Sequence, residues 1–253
     1  MTLCPILDFA NHHMTIPSAS PEATQAKLWN TGPAPKRKFG DNFTLCSPSV
    51  HVVAGQELFL KYGAHAKSTL FVEYGFVDVV DWEAPEEETG GEIEVDTYVE
   101  TLFDQRGELG LWMKDILAKE GYWGDWTMHA IPAPAHPSYR LITTLRFYHI
   151  LPASANAVPA DSDQYVQEWR NVTLGLQEII SEENEHRWKM TLRDMCEDLA
   201  TNAQRDLAMV SEICLDTQKE WLPSSILFIE TLWREEMNVA RSVIESLNNH
   251  AEF

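Results

Sequence analysis

The chain has 253 residues, of which 44% are hydrophobic and 23% are charged. This composition is typical of one or two folded domains and excludes an intrinsically disordered chain. The net charge of −20, from 39 acidic and 19 basic residues, disfavours direct binding to DNA or RNA, whose phosphates an acidic surface repels. It favours a basic protein partner, although an acidic surface also serves solubility alone.

Cysteine usage and hydropathy bear on the compartment. The four cysteines are Cys4, Cys46, Cys196 and Cys214, which lie far apart and form no CxxC pair. They are typical of free intracellular thiols rather than a disulfide framework. No apolar run reaches the roughly 18 residues that a membrane span needs, and no signal peptide is recognisable. We therefore predict a cytoplasmic or nuclear protein without a membrane partner.

The first part of the chain predicts loops and short strands. Four prolines and a basic run indicate a loop over residues 14–40. Strands are predicted over 43–46, 50–53 and 57–62, the last from alternation around Leu58 and Leu60. A short helix is predicted over 66–74, because Gly75 follows it as a C-terminal breaker.

An acidic, glycine-rich stretch at 83–94 predicts an exposed loop at a domain boundary. After it the pattern becomes helical, with a Pro- and Trp-rich connector at 121–137. The predicted helices cover 97–119, 138–150, 161–181, 184–218 and 223–248. The helix over 97–119 has a possible break at Gly107 and Gly110. The helix over 138–150 is capped by Ser138, and the helix over 223–248 has Pro223 in its first turn.

Three short motifs stand in a fixed order before that boundary. Residues 7–13 read LDFANHH, residues 55–63 read GQELFLKYG, and residues 73–76 read EYGF. Each motif alone is weak, because an Asn-His pair or a Tyr-Gly strand end is common. Their order and spacing, with a short helix between the two tyrosines, resemble the C-terminal half of a SET-domain protein methyltransferase. The resemblance is to the Rubisco-lysine-methyltransferase class.

This resemblance implies an α+β fold in two domains. Residues 1–82 would be the C-terminal part of a mostly β SET core, and residues 95–253 an all-α substrate-binding-like domain. The implied function is S-adenosylmethionine-dependent lysine N-methylation of an intracellular non-histone protein, for example a basic ribosomal protein. Some relatives of this fold methylate histidine, and the sequence leaves that alternative open.

The resemblance assigns the catalytic positions to Tyr62 and Tyr74. A lysine amine must be neutral to attack a methyl group, yet the pKa of free lysine is about 10.4. A narrow, dry channel lowers that pKa and aligns the reacting atoms. Tyrosine hydroxyls can orient the amine by hydrogen bonding without adding a competing charged nucleophile. The alternative is that both tyrosines are ordinary strand-end or packing residues.

The resemblance also implies a cofactor site for S-adenosylmethionine. Asn11 and His12 would contact the cofactor, the latter through its backbone. Asp8 would anchor the turn or face the substrate, and Phe76 would pack against the cofactor or channel. Tyr62 would lie beside the methyl group.

A metal site in the first motif is an alternative interpretation. Cys4, Asp8, His12 and His13 are possible metal ligands, but Pro5 and the lack of a second ligand cluster argue against a metal site. A complete SET domain of this class begins with a hairpin carrying a G-x-G stretch, which this sequence lacks. A fragment, a protein that has lost catalysis and an unusual minimal SET domain would all explain this. We expect a C-terminal fragment, and the activity of this chain is open. The alternative function is a non-catalytic protein-interaction module built on a SET remnant and a helical domain.

Overall fold

The structure is a computed structural model that divides the chain into two compact units, Met1–His65 and Ala66–Phe253. The domain boundary expected between residues 82 and 95 stays a prediction, because residues 79–90 lie outside the described ranges. The structure describes residues 10–13, 19–21, 45–48, 50–60, 62, 66–78, 91–152, 155, 157–213 and 219–253.

The first unit contains a two-stranded antiparallel sheet. Strand β1 (Ser20–Pro21) pairs with strand β2 (Leu45–Cys46), with Ser20 opposite Cys46. Strand β2 falls within the strand predicted over 43–46. Among the described residues of this unit, the other strand-like pairing consists of isolated bridges.

The strands predicted over 50–53 and 57–62 are wrong as regular strands within the described residues. Pairing in that stretch is confined to isolated bridges at Leu60. The physical reason is exposure: Val50, Val53 and Leu58 keep half or more of their surface in solvent, at 50%, 57% and 52%. These apolar side chains therefore do not form the buried face of a sheet.

The second unit is helix-rich and contains a small sheet. Strands β3 (Glu92–Glu94), β4 (Thr127–His129) and β5 (His136–Pro137) form an antiparallel sheet in that order, with Ile93 opposite Met128. The elements in chain order are α1 (Lys67–Tyr74), β3 (Glu92–Glu94), α2 (Asp96–Asp104), α3 (Glu108–Lys119), β4 (Thr127–His129), β5 (His136–Pro137), α4 (Tyr139–Tyr148), α5 (Ser162–Thr173), α6 (Glu182–Ser211) and α7 (Leu222–Asn248).

The local signals that predicted these helices are confirmed. The chain breaks between α2 and α3 at Gly107, whose φ of 56° suits glycine. The Ser138 hydroxyl accepts a hydrogen bond from the Leu141 N–H at 3.3 Å and so caps α4. Pro223 lies in the first turn of α7, where its missing N–H costs nothing.

Three of the predicted segments differ from the structure. The helix predicted over 161–181 ends at Thr173. The connector predicted over 121–137 supplies strands β4 and β5, and the end of the acidic loop predicted over 83–94 forms strand β3. The region predicted as all-α therefore also contributes to a sheet. The cause is burial, because Ile93 and Met128 face the core from these short strands.

The core of the second unit is built around buried tryptophans. Trp126 and Trp169 are almost completely buried. The Trp126 indole N–H donates to the Thr144 hydroxyl at 2.9 Å, and the Trp169 N–H donates to the Thr143 carbonyl at 2.9 Å. Because both polar N–H groups have partners, their hydrogen bonds offset the cost of removing them from water. Helices α6 and α7 pack along each other beside this core.

No helix in the described part of the chain is both long enough and apolar enough to cross a bilayer.

Candidate active site

The two longest motifs of the sequence meet at Leu60 in the first unit. The Leu60 N–H donates to the Asn11 carbonyl at 2.9 Å, and the His13 N–H donates to the Leu60 carbonyl at 3.2 Å. His12 and Leu60 thus form a parallel bridge. The SET resemblance requires these segments to lie together, and the structure meets that requirement.

Ala19 holds the same stretch through a second parallel bridge. The Ala19 N–H donates to the Phe59 carbonyl at 2.8 Å, and Ala19 also bridges to Leu60. The rings of His13 and Phe59 meet edge to face, with their centroids 5.3 Å apart. Buried Leu60 is therefore bridged to two other segments of the first unit, and their backbone hydrogen bonds fix the position of the chain just before Tyr62.

Tyr62 is oriented by hydrogen bonds at both its backbone and its hydroxyl. Its N–H donates to His12 Nδ1 at 2.9 Å, and its hydroxyl donates to the Ala10 carbonyl at 2.9 Å. The His12 and Tyr62 rings lie 5.1 Å apart between centroids, tilted by 49°. Since Nδ1 of His12 accepts a hydrogen bond, the proton of the neutral ring is on Nε2.

This arrangement determines what the Tyr62 hydroxyl can do. Its proton is directed to a carbonyl that cannot give one in return, so the oxygen can act towards other groups only as an acceptor. An acceptor at a fixed position suits an amine, which donates N–H bonds. Tyr62 as placed can therefore hold and orient an amine.

Asn11 and His12 present groups that suit a polar organic cofactor. The Asn11 side chain is exposed, and its amide donates to the Glu57 carboxylate at 2.5 Å. His12 is 6% exposed. In a parallel bridge the flanking residues make the backbone hydrogen bonds, so the N–H and C=O of His12 point away from Leu60. A cofactor-binding role of Asn11 and His12 stays a prediction.

Tyr74 and Phe76 belong to the second unit. Tyr74 ends helix α1, and Gly75, with φ of 78°, donates its N–H to the Phe71 carbonyl at 2.9 Å. The rings of Tyr74 and Phe76 lie 6.2 Å apart between centroids, and Tyr74 is 52% exposed. Gly75 thus turns the chain so that the two rings are neighbours. A shared role of Tyr74 with Tyr62 stays a prediction.

The remaining candidates of the sequence analysis lie outside the described residues. These are Asp8, a predicted cofactor-site residue, and Cys4. Both were also considered as metal ligands. In the ranges that the structure does describe, no group of three or more His, Cys, Asp or Glu side chains is placed to hold a metal ion.

The sequence reasoning missed two groups of this site. The Ala10 carbonyl accepts the Tyr62 hydroxyl bond, and Glu57 accepts the Asn11 amide bond. Both residues stand inside the quoted motifs, so the motifs contained the signal. Neither residue type suggests the role by itself, because a backbone carbonyl carries no sequence signature and an exposed Glu is common.

Comparison with known proteins gives distant relatives. No protein-family model matches the chain. The chain is 30% identical over 160 residues to ribosomal lysine N-methyltransferase 2 of Saccharomyces cerevisiae, covering 58% of this chain and 28% of that protein. It is 25% identical over 248 residues to ribosomal lysine N-methyltransferase set11 of Schizosaccharomyces pombe, covering 97% of this chain and 52% of that protein.

A human protein gives a similar result. The chain is 26% identical over 249 residues to SET domain-containing protein 4 of Homo sapiens, covering 98% of this chain and 47% of that protein. The chain thus spans about half the length of these relatives, or less. At low identity, the relatives support assignment of this chain to the SET-domain protein methyltransferases.

Proposed function

We propose that the chain contributes to an S-adenosylmethionine-dependent protein-lysine N-methyltransferase of the Rubisco-lysine-methyltransferase class. The observation that carries the proposal is the hydrogen-bond network joining Tyr62 to Ala10 and His12. It places a fixed acceptor oxygen next to the Asn-His motif. Two relatives named as lysine N-methyltransferases favour lysine over histidine as the target.

In this proposal the tyrosines act on the substrate amine. Tyr62 accepts a hydrogen bond from the amine and directs its lone pair, because the hydroxyl proton is held by the Ala10 carbonyl. By the resemblance, Tyr74 would line the same channel. Exclusion of water from the channel favours the neutral amine, since burial lowers the pKa of a lysine.

The cofactor would be held by residues from all three sequence motifs. S-adenosylmethionine, when bound, supplies the methyl group that is transferred. Asn11 would bind through its exposed amide, and His12 through the backbone groups that face away from Leu60. The full proposed set is Asp8, Asn11, His12, Tyr62 and Phe76.

The substrate would be a basic protein such as a ribosomal protein. The net charge of −20 attracts a cationic partner and speeds its encounter with the chain at low salt. The relatives from both yeasts are named as ribosomal methyltransferases. We therefore expect methyl transfer to weaken as ionic strength rises.

Cofactor binding tests the proposal directly. Calorimetric titration of the chain with S-adenosylmethionine should give saturable heat, and Asn11→Ala should weaken the binding by about tenfold, the value of one good hydrogen bond. The control is Asn249→Ala, an equally exposed asparagine after helix α7, which should bind like the unsubstituted chain.

The interaction-module alternative predicts a different pair of results. A chain that takes up no S-adenosylmethionine, yet still binds a purified ribosomal protein, would contradict the enzyme and favour the module. Equal cofactor affinity for Asn11→Ala and Asn249→Ala would remove Asn11 from the binding site.

A further inference from the structure

A cavity of about 690 Å³ opens within the second unit between helix α2, the end of helix α4 and helix α6. Its volume falls within the range of pockets that bind small organic molecules, about 300–1,000 Å³. All of its lining residues lie between Thr97 and Asp198, so it shares no residue with the candidate active site.

Two arginines line one end of this cavity. Arg106 lies over the ring of Tyr148, with its guanidinium carbon 4.2 Å from the centroid, and its buried Nη1 has no hydrogen-bond partner among the described residues. Arg187 donates to the carbonyls of His149 and Leu151, at 3.3 and 3.0 Å. Neither arginine forms an ion pair with any described carboxylate.

The pKa of His149 is affected by both arginines. Burial, followed by the charges of Arg187 and Arg106, lowers the pKa of His149 to about 3. Its Nε2 lies 2.7 Å from the Thr191 hydroxyl, and its buried Nδ1 has no partner in the described part of the chain. Two cations that pair with no described carboxylate are costly to hold in a partly buried place, and a bound anion would offset that cost.

The rest of the cavity has a different character. Tyr98 and Leu102 of α2 and Met195 of α6 give apolar and aromatic walls. Asp194 and Asp198 lie on the α6 face that carries Arg187, the latter about 16 Å along the helix from that arginine. The cavity is therefore cationic where Arg106 and Arg187 lie, and it also has apolar walls and two exposed acidic side chains.

We propose that this cavity binds a small organic oxyanion, a carboxylate or a phosphate monoester that carries a ring or another apolar body. The oxyanion would lie between Arg106 and Arg187, and the body would pack against Tyr98, Tyr148 and Met195. Arginine suits this role, because its guanidinium offers several donors to one oxyanion. The volume exceeds the need of an inorganic anion, and this favours an organic ligand.

The test is titration of the full chain with phenyl phosphate, benzoate and inorganic phosphate at constant ionic strength. Phenyl phosphate or benzoate should bind at least about tenfold more tightly than inorganic phosphate, because the ring buries apolar surface in the cavity. The tighter of the two organic probes identifies the oxyanion as a phosphate or a carboxylate. Absence of saturable binding for both would overturn the proposal.

Substitutions place the ligand within the cavity. Arg106→Gln should weaken the tighter probe by about tenfold or more, whereas Arg241→Gln, at an exposed arginine of α7, should leave its affinity unchanged. Equal binding by the two variants would contradict the assignment. Circular dichroism of Arg106→Gln checks that the variant is folded.

A second variant keeps the test decisive if Arg106→Gln does not fold. Asp194→Asn removes a negative charge from the exposed part of the cavity, so the anionic probe should bind more tightly. Unchanged or weaker binding would refute the proposed orientation, and a general loss of structure would not produce tighter binding. These measurements do not involve methyl transfer, so they stand or fall separately from the proposed enzyme activity.

Discussion

Substitution of Glu236 by Gln should stabilise the protein at alkaline pH. Glu236 lies on helix α7, partly buried. Burial, with a smaller contribution from the charge of Asp206, raises its pKa from 4.5 to about 7. Folding therefore favours the protonated carboxyl, and glutamine reproduces that neutral form in nearly the same shape.

The sign and size of the effect follow from this pKa. The stability associated with the protonated carboxyl is fully present below pH 4.5 and is lost as the pH rises towards 7. Above pH 7 the carboxyl is charged in both folded and unfolded states, so the loss stays constant. The difference between the two pKa values corresponds to about 3 kcal/mol as an upper limit. Because the carboxyl keeps contact with solvent, we expect about 1–2 kcal/mol.

Urea unfolding at pH 5 and pH 8 measures the effect. Glu236→Gln should exceed the unsubstituted chain by about 1–2 kcal/mol at pH 8 and by much less at pH 5. The control Glu245→Gln, at an exposed position of the same helix, should show no such dependence. A gain of the same size at both pH values, or no gain at pH 8, would refute the reasoning.

Three further variants or titrations test other buried groups. Lys67→Met should destabilise by about 3–5 kcal/mol in urea unfolding, because it leaves the buried carboxylate of Glu235 without its ion-pair partner. Gly110→Ala should cost about 2 kcal/mol or more in thermal unfolding, since its methyl group would stand 1.8 Å from the Phe103 carbonyl oxygen. In an NMR titration His149 should stay neutral until the pH approaches its pKa of about 3. The stability linked to it is present above pH 6.5 and is lost as the pH falls.

Matched controls accompany these changes. Lys119→Met removes an exposed lysine that also pairs with a carboxylate and should cost less than about 1 kcal/mol. Leu111→Ala changes an exposed side chain next to Gly110 and should be nearly neutral. A Lys67→Met variant as stable as Lys119→Met would contradict the buried ion pair. A His149 titration centred near pH 6 would contradict the cationic environment.

The sequence predicted the helices well because their signals are local. Ser138 caps α4, Gly107 separates α2 from α3, and Pro223 lies in the first turn of α7. Each of these effects depends on residues within one turn of the chain. The strands were predicted poorly, because β4 and β5 have only three and two residues and no periodicity can be recognised over so short a stretch.

Long-range contacts explain the other features of the structure that the sequence did not predict. The motifs indicated that the Asn-His segment and Tyr62 lie together, but not that the Tyr62 hydroxyl donates to the Ala10 carbonyl. Lys67 and Glu235 are far apart in the sequence and have no pattern that would pair them. The cavity that joins Arg106 to Arg187 likewise depends on how α2, α4 and α6 pack. Such pairs follow from tertiary packing, which one sequence does not reveal.

The proposed enzyme activity depends on Tyr62 orienting a lysine amine for methylation. The direct measurement is incorporation of labelled methyl groups from S-adenosylmethionine into purified ribosomal proteins by the unsubstituted chain, Tyr62→Phe and Tyr139→Phe. Tyr139 is a matched control, because its hydroxyl also donates to a backbone carbonyl, that of Thr173, at 2.9 Å. We expect label on lysine with the unsubstituted chain and Tyr139→Phe, and a loss of about a hundredfold or more with Tyr62→Phe. Equal labelling by Tyr62→Phe, or no labelling of lysine by the unsubstituted chain, would contradict it.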